Sequence, residues 1–297
     1  MRVALTGSTG LIGGHLARAL LARGDEVVAL VRGDGSGIDG ARDVHWNPSE
    51  GPLPAEALDG VDVVVNLAGA PLAGRRWTAA RKRAIRESRT LTTRLLVDAL
   101  AADGAPRALV NASAVGYYGD VSEPVEESAP PGSDFLADTC VAWEREALRA
   151  RDHGVRVALI RTGLVLAPDG GVLPTLARPV KLYAGGPLGS GEQWMPWIHI
   201  DDEVGLLLML IDRDDAEGPF NGSAPDPVQQ REFVRTLATV LHRPAVVPAP
   251  AVAIRLALGE QAMLALEGQR AVPAAALAAG YRFAHTELEE ALRDLYD

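Results

Sequence analysis

Glycines at positions 7, 10 and 13 form the pattern with the clearest chemical meaning in this chain of 297 residues. They lie in the segment Thr-Gly-Ser-Thr-Gly-Leu-Ile-Gly, residues 6–13, between a short apolar run and a run with helical spacing. Gly7 permits a tight turn, Gly10 lets backbone approach a pyrophosphate, and Gly13 lets the helix pack on the strand. The helix start adds oriented N–H groups and a partial positive charge. A glycine turn without a ligand is the alternative, but the strand-turn-helix context predicts dinucleotide binding. The residues predicted to hold the phosphates are Gly7, Thr9, Gly10, Leu11 and Ile12.

The preference between two dinucleotides depends on Arg32, which follows the second apolar run. A carboxylate there would bind the adenosine ribose 2′-hydroxyl and favour NAD. Leu30 and Val31 carry no carboxylate, and Arg32 can pair with a 2′-phosphate. Asp34 is an argument for NAD, and a surface arginine with no ligand is a further alternative. We predict NADP(H) as the cofactor, with NAD as the second choice.

The elements that position these residues alternate between strand and helix. Residues 2–7 are a short buried strand, residues 11–22 have one apolar helical stripe, and residues 26–32 are a second strand. The pattern continues with strands at 61–67, 108–113 and 155–160 and with helices at 78–102 and 135–151. We therefore predict an α/β fold with a doubly wound parallel sheet of the Rossmann type.

Proline and glycine punctuate the chain heavily after residue 166. One strand-helix element, residues 197–212, interrupts that stretch, and two or three helices follow from about residue 225. We interpret residues 1–166 with the returning element as the NADP-binding domain. Residues 167–297 are predicted to form a smaller domain on the substrate side.

Composition excludes several classes of partner. The net charge is −10 and no basic tract occurs, which argues against nucleic acid or an anionic membrane surface. Cys140 is the single cysteine, so neither an internal disulfide nor a thiolate metal cluster can form, and no metal site is predicted. The first residues enter a strand at once and no run of about 18 apolar residues occurs. We predict a cytoplasmic protein with a small-molecule substrate, and the oligomeric state stays open.

Several segments together resemble the extended short-chain dehydrogenase/reductase superfamily, also called the epimerase/dehydratase superfamily. Residues 6–13 match its phosphate turn, and Asn-Leu-Ala-Gly at 66–69 matches the motif whose backbone lies along the cofactor. Residues 113–119 are similar to the strand end that carries the catalytic serine, and residues 197–202 to a late strand-helix junction. The resemblance covers the whole chain. It implies that Leu67, Ala68 and Gly69 contact the cofactor and that Ser113 is catalytic.

Further segments narrow the resemblance to an atypical branch of about 300 residues, commonly labelled "sugar nucleotide epimerase family protein". They are Arg-Trp-Thr at 76–78, Ser-Arg at 88–89, Trp-Glu at 143–144 and Leu-Glu-Gly-Gln at 266–269. The branch is similar to NADP-binding proteins of unsettled substrate. In this branch the arginine that matches Arg89 is implied to contact the cofactor.

The chain departs from the superfamily where the chemistry is normally done. The superfamily uses Tyr-x-x-x-Lys on one helix, where the lysine lowers the tyrosine pKa so that the tyrosine moves a proton. The only lysines are Lys82 and Lys181, and neither has a tyrosine four residues before it. An alignment on Glu144 places Leu136 and Cys140 in the two slots. We interpret Cys140 as a small buried apolar residue rather than a nucleophile.

A substitute proton donor could come from the tyrosines that follow Ser113. Tyr117 or Tyr118 is the candidate acid, with Tyr118 preferred, and packing at the substrate entrance is the alternative for both. Glu126, Glu127 and Asp134 are expected to be solvated, and His199 is expected to be structural.

Three hypotheses remain for function. The first is an NADP(H)-dependent epimerase or oxidoreductase with an unusual proton donor. The second is a non-catalytic redox-sensing or regulatory NADP(H)-binding protein, and the third is a structural protein that has lost the cofactor.

Overall fold

The computed structural model describes residues 1–74, 76–102 and 104–296, with Ala55 described by its backbone alone. The strands in chain order are β1 (Arg2–Thr6), β2 (Glu26–Val31), β3 (Arg42–His45), β4 (Val63–Asn66), β5 (Ala108–Ala114), β6 (Val121–Val125), β7 (Arg156–Thr162), β8 (Leu164–Ala167), β9 (Gly170–Gly171), β10 (Trp194–Met195), β11 (Trp197–His199), β12 (Gly218–Gly222), β13 (Val228–Gln229) and β14 (Gln269–Ala271). The helices are α1 (Leu11–Ala22), α2 (Ala79–Ala99), α3 (Phe135–Leu148), α4 (Leu173–Lys181), α5 (Ile200–Asp212), α6 (Gln230–Val240), α7 (Ala251–Leu258), α8 (Met263–Leu266), α9 (Ala274–Ala278) and α10 (Leu288–Tyr296).

A parallel sheet of seven strands forms the centre of the fold, in the order β12-β7-β5-β4-β1-β2-β3. The chain leaves β1 toward β2 and β3 on one side and returns to β4 and β5 on the other. This reversal opens a crevice at the carboxyl ends of β1 and β4, where ligands bind in doubly wound sheets. The predicted α/β fold with a doubly wound parallel sheet is confirmed.

Both faces of the central strands are covered, which explains their continuous apolar sequences. Val3, Ala4 and Leu5 are fully buried in β1. One face packs against α1 and α5 through residues such as Leu16 and Leu207. The other face packs against α2 and α3 through residues such as Leu96. The sheet is therefore a rigid base for the loops at its carboxyl edge.

Apart from β12 and α5, the segments after β7 form smaller sheets and helices outside the central sheet. β14 pairs with β6, β11 pairs with β8, and β10 pairs with β13. A separate apolar cluster joins Trp197 to Phe233 of α6 and Leu292 of α10. None of the helices in the described part of the chain combines the length and apolar character needed to cross a bilayer.

The structure differs from the sequence-based prediction at the two edges of the sheet. β3 was not predicted because only Val44 of its four residues is apolar. β12 was not predicted because its sequence, Gly-Pro-Phe-Asn-Gly, contains residues that normally interrupt strands. Pro219 is tolerated there because β12 lies at the edge of the sheet. The central sheet thus takes its seventh strand from beyond residue 166, and the two-domain division stays a prediction.

Helices α2 and α3 are both shorter than predicted. α2 runs from Ala79 to Ala99, and the side chain of Thr78 accepts a hydrogen bond from Arg81 N at its start. α3 ends at Leu148, where a 3₁₀ turn over Arg149–His153 continues the chain to Gly154. Gly154 adopts a left-handed conformation with φ of +74°, which ends the helical segment.

Candidate functional site

The glycine turn between β1 and α1 has the close approaches that its sequence predicts. Gly7 has a φ of +73°, and a Cβ there would lie 2.9 Å from the carbonyl carbon of Leu67. A Cβ on Gly13 would lie 2.2 Å from the carbonyl oxygen of Gly7. Gly10 is different: its φ is −86°, and a Cβ would be 3.2 Å from the Gly7 oxygen. The first and third glycines therefore shape the turn, whereas Gly10 leaves its surface open.

The start of α1 carries donors that the protein itself does not satisfy. Gly10 is the N-cap residue, and no side chain of the described residues accepts a hydrogen bond from the first N–H groups of the helix. The first turn holds no acidic residue. The Ser8 hydroxyl is buried and has no hydrogen-bond partner among the described residues. A phosphate group seated at this helix start would satisfy both sets of donors.

A cleft of about 610 Å³ begins at this turn and follows the carboxyl ends of β1, β2 and β4. Most of the predicted cofactor residues line it: Gly7, Thr9, Gly10, Arg32, Leu67, Ala68 and Gly69. Leu11, Ile12 and Arg89 do not line it. The segment directly after β3, residues 46–49 with Trp46 and Pro48, also lines the cleft. Sequence reasoning missed this segment because it missed β3, which brings it there.

Arg32 lies at the end of the cleft away from α1, where β2 ends. The residue is exposed, and no carboxylate of the described residues forms an ion pair with it. Asp34, the sequence-based argument against a 2′-phosphate, does not pair with it within the described residues. The guanidinium is therefore free to bind an anion at this end of the cleft.

A buried hydrogen-bond network holds the loop after β4 against the turn. The Thr6 hydroxyl donates to Asn66 Oδ1 at 2.7 Å and accepts from the N–H of Leu67 at 3.1 Å. Asn66 Nδ2 in turn donates to Asn111 Oδ1 at 2.6 Å and to the Thr93 hydroxyl at 2.8 Å. The cleft walls on β1 and β4 are thereby fixed to β5 and α2.

Arg89 lies behind the same loop. Its Nη1 donates to the carbonyl oxygens of Ala70, at 3.2 Å, and Ile85, at 3.0 Å. A Cβ on Gly69 would be 3.0 Å from its Cζ, and the guanidinium lies 5.1 Å from the ring centroid of Trp143. Burial lowers the pKa of Arg89. Arg89 thus supports the loop after β4 on the side away from the cleft. No carboxylate of the described residues pairs with its guanidinium.

The predicted catalytic serine begins a chain of buried hydrogen bonds. Ser113 Oγ donates to Glu144 Oε1 at 2.6 Å. Arg161 donates to both oxygens of Glu144, at 2.8 and 2.9 Å, and to the Tyr118 hydroxyl at 3.0 Å. The Tyr118 hydroxyl donates to Asn221 Oδ1 at 2.7 Å. This chain connects β5, α3, β7 and β12 at the carboxyl edge of the sheet.

Tyr118 is less available than its sequence position suggested. It is 5% exposed, and its hydroxyl both accepts from Arg161 and donates to Asn221. Burial raises its pKa, which makes the phenol a weaker acid. These contacts argue against the expectation that Tyr118 serves as the substitute acid. Tyr117 is half-buried, and the Arg161 guanidinium lies 3.5 Å from its ring centroid.

Cys140 is buried, as the sequence predicted. Its Sγ lies 3.8 Å from the carbonyl oxygen of Ala114, and burial raises the pKa of the thiol to about 12. A thiol with that pKa is protonated at neutral pH and is a poor nucleophile. Leu136, in the other slot, is half-buried beside Gly116.

Two acidic residues that were expected to be solvated are structural instead. Glu127 is buried, and its carboxylate accepts from the N–H groups of Asn221 and Ala275. Asp134 accepts from the N–H groups at the start of α3 and so caps that helix. Both expectations were wrong because backbone donors from distant or following residues satisfy these carboxylates. Glu126 is exposed.

His199 has a structural role at the start of α5, as expected. It is 1% exposed, its Nδ1 accepts from Asp201 N at 3.1 Å, and its ring stacks on His285. Asp201, His285 and Asp294 place ligand-type atoms within 4.8 Å of it. Because Nδ1 accepts a hydrogen bond, the neutral ring carries its proton on Nε2, which lies 3.3 Å from a carboxylate oxygen of Asp294 but has no hydrogen-bond partner among the described residues. A proton at that atom does not suit metal coordination.

Glu203 is a buried acid that sequence reasoning missed. It is fully buried in α5, and its Oε1 accepts from the Thr162 hydroxyl at 2.7 Å. Its Oε2 has no hydrogen-bond partner among the described residues. Burial raises its pKa to about 8. The side chain is therefore largely protonated near neutral pH.

Comparison with known proteins relates the whole chain to one family. The profile described as "NAD dependent epimerase/dehydratase family" matches residues 3–221, and one described as a domain of unknown function matches residues 249–295. An epimerase family protein of Mycobacterium bovis, Mb2239, is 42% identical over 98% of this chain and 96% of its own length. An Arabidopsis thaliana protein described as a chloroplastic SDR39U1 homolog is 39% identical over 99% of this chain and 86% of its own.

A solved structure supports the same relation. The crystal structure of human epimerase family protein SDR39U1, described as containing NADPH, superposes with a TM-score of 0.90. Its sequence is 34% identical, and the match covers 99% of each chain. The resemblance seen in the sequence is therefore confirmed. The chain belongs to the NAD dependent epimerase/dehydratase family.

Proposed function

We propose that the cleft beside the glycine turn binds NADP(H). The observation that carries the proposal is the uncapped start of α1, with the unpartnered Ser8 hydroxyl beside it, at one end of the cleft. The unpaired Arg32 guanidinium lies at the other end. A helix start suits a pyrophosphate, and a free arginine at the end of β2 suits a 2′-phosphate. The NADPH in the human relative supports this cofactor over NAD.

Each part of the cleft has a proposed role in holding the dinucleotide. The first N–H groups of α1 and the turn bind the pyrophosphate. Arg32 binds the 2′-phosphate, while the loop after β4, supported by Arg89, forms the wall along the rest of the molecule. The residues assigned to binding are Gly7, Thr9, Gly10, Leu11, Ile12, Arg32, Leu67, Ala68, Gly69 and Arg89.

We further propose that the protein is an oxidoreductase or epimerase-like enzyme acting on a small molecule of the nucleotide-sugar type. Bound NADP(H) would supply or accept a hydride at its nicotinamide ring. Ser113 is 4% exposed and donates its proton to Glu144, so its Oγ could meet a substrate hydroxyl only as an acceptor and only where the substrate reaches this buried position. Ser113 is therefore assigned to orient the substrate oxygen, and Tyr118 to hold Arg161 in place. A group that delivers the proton is not assigned.

The second candidate is a non-catalytic NADP(H)-binding protein that senses redox state or regulates a partner. The specific observation in its favour is the pair of apolar side chains in the slots of the missing tyrosine and lysine. Leu136 has no ionisable group, and the raised pKa of Cys140 keeps its thiol protonated. Such a protein would bind NADP(H) in the cleft but would not catalyse hydride or proton transfer.

The net charge of the chain indicates which class of partner either candidate function would involve. A net charge of −10 favours a small-molecule substrate over nucleic acid. A location in the cytoplasm remains a prediction from the sequence. One relative, in Arabidopsis thaliana, is described as chloroplastic.

Deuterium transfer separates the two candidates. Protein is incubated with NADPH carrying deuterium at C4 of the nicotinamide and with a panel of small aldehydes and ketones, and products are analysed by mass spectrometry. Transfer by the wild type that weakens in Ser113→Ala but not in Ser122→Ala, an exposed serine, supports the enzyme. Tight NADPH binding without transfer to any compound supports the non-catalytic candidate. No NADPH binding contradicts both.

A further inference from the structure

Arg270 carries a guanidinium that the protein does not satisfy. It lies on β14, with its Cζ 4.2 Å from the ring centroid of Trp194. Its Nε is buried and has no hydrogen-bond partner among the described residues. The residue as a whole is half-buried, so part of it is accessible to solvent.

Two arginines elsewhere on the later half of the chain, in contrast, form ion pairs with carboxylates. Arg161 binds the carboxylate of Glu144, and Arg231 binds that of Glu192. No carboxylate of the described residues forms an ion pair with Arg270. A charged donor withdrawn from water without a partner is costly, and such groups in folded proteins generally have a reason to be kept.

The guanidinium of Arg270 lies over the face of the Trp194 ring, with 4.2 Å between Cζ and the ring centroid. A guanidinium on an aromatic face keeps its N–H groups pointing outward in its own plane. This planar fork matches the paired oxygens of a carboxylate or phosphate. The contact with Trp194 restricts the Arg270 side chain, so less ordering is needed when an anion binds.

Arg270 and Trp194 both lie in segments on the predicted substrate side of the fold. β14 pairs with β6, which follows the 3₁₀ turn at the end of β5 that contains Tyr118. Trp194 stands two residues before Pro196, whose carbonyl oxygen accepts from Leu164 N just after β7. Both residues therefore lie in segments joined to those that follow the carboxyl ends of β5 and β7, the edge where ligands bind in this class of sheet.

We propose that Arg270, stacked on Trp194, binds an anionic group of the substrate, either a carboxylate or a phosphate. The inference rests on the proposed function and deepens it, because it names the chemical class: an oxidisable or reducible molecule that carries such an anion. In a chain with a net charge of −10, a specific positive contact is needed to attract an anionic substrate.

The indole N–H signals of the tryptophans test this by NMR. The chain has five tryptophans. The indole signal of Trp194 is assigned by its loss in Trp194→Phe. The signal of Trp46, which lines the proposed cofactor cleft, is assigned by its loss in Trp46→Phe. The NADPH complex is titrated with inorganic phosphate, UDP and succinate in separate arms, which distinguish phosphate from carboxylate. The variants are Arg270→Met, Arg270→Lys and the control Arg282→Met, an exposed arginine elsewhere.

The expected result is a saturable shift of the Trp194 signal with at least one of the three anions. Affinity should fall at least about tenfold in Arg270→Met, less in Arg270→Lys, and not in Arg282→Met. No Trp194 shift with any anion, or shifts that survive Arg270→Met, would overturn the inference. The Trp46 signal reports the cofactor separately: if NADPH does not shift it, the proposed function fails instead.

Discussion

The hydroxyl of Ser113 donates a 2.6 Å hydrogen bond to Oε1 of Glu144, which couples the end of β5 to α3. Arg161 holds the same carboxylate through both of its oxygens. The hydroxyl proton of Ser113 is therefore donated to Glu144, and toward a substrate the Oγ atom can act only as an acceptor. Ser113 suits the orientation of a substrate hydroxyl, whereas the delivery of a proton needs another group.

This arrangement predicts weak activity on common nucleotide sugars. Leu136 and Cys140 provide neither the acid nor the cation of the usual pair, and general acid–base help is worth about 10²–10⁴-fold. We expect slow epimerisation and slow hydride exchange with NADP(H) present, measured by chromatography of the sugar products. Fast wild-type turnover that falls at least about tenfold in Ser113→Ala or Tyr118→Phe would contradict this expectation. Fast turnover unaffected by both changes would mean that the site lies elsewhere.

Gly10→Val is expected to abolish NADPH binding while the protein stays folded. A Cβ at Gly10 needs only a small adjustment against the Gly7 oxygen, but the larger side chain would occupy the space proposed for the pyrophosphate. Gly51→Val is the matched control, because a Cβ there meets nothing within 4 Å and Gly51 does not line the cleft. Circular dichroism checks the fold, and fluorescence titration measures binding. Retained binding in folded Gly10→Val would show that the turn holds no phosphate.

The thiol of Cys140 is expected to resist alkylation in the native protein. Burial and a pKa of about 12 leave very little thiolate near pH 8. Iodoacetamide labelling followed by mass spectrometry should give slow modification of the native protein and fast modification in guanidinium chloride. Fast labelling of the folded protein would contradict the burial of Cys140 and reopen its candidacy as a nucleophile.

Glu203 makes stability depend on pH. Folding raises its pKa from 4.5 to about 8, so the folded protein keeps a proton that the unfolded chain releases. Its contribution to stability is complete below about pH 4.5 and is lost as the pH rises to about 8, at roughly 1.4 kcal/mol per pH unit. Glu203→Gln cannot ionise and should remove this slope.

Urea unfolding from about pH 5 to about pH 9 measures the Glu203 effect. The difference in unfolding free energy between Glu203→Gln and the wild type should shift in favour of the variant by a few kcal/mol across this range. Glu290→Gln, an exposed position on α10, is the control and should show no such trend. Parallel pH profiles for wild type and Glu203→Gln would show that Glu203 ionises freely in the folded state.

The parts predicted from sequence are those with local signals. The turn at residues 6–13, β1, α1 and β2 lie next to one another in the chain, and their spacing specifies both the elements and the position of Arg32. The segment around Trp46 and Pro48 escaped notice because the edge strand that delivers it has a polar sequence.

The roles that sequence could not give depend on partners distant in the chain. Glu127 is satisfied by backbone donors of Asn221 and Ala275, and Tyr118 by Asn221 and Arg161. The stacking of Arg270 on Trp194 likewise requires two segments that meet only in the folded protein. A single sequence holds no signal for such meetings, so these residues could be recognised only from the structure.

The most direct test of the proposed cofactor site is a comparison of NADPH and NADH affinity in the wild type and in Arg32→Ala, by isothermal titration calorimetry. We predict tighter binding of NADPH by the wild type and a loss of about 10- to 100-fold for NADPH alone in the variant, because a hydrogen-bonded charge pair contributes about 1.5–3 kcal/mol. Arg42→Ala, an exposed position at the start of β3, should leave both affinities unchanged. Equal wild-type affinities, or an NADPH affinity unaffected by Arg32→Ala, would contradict the assignment of Arg32 and of NADP(H).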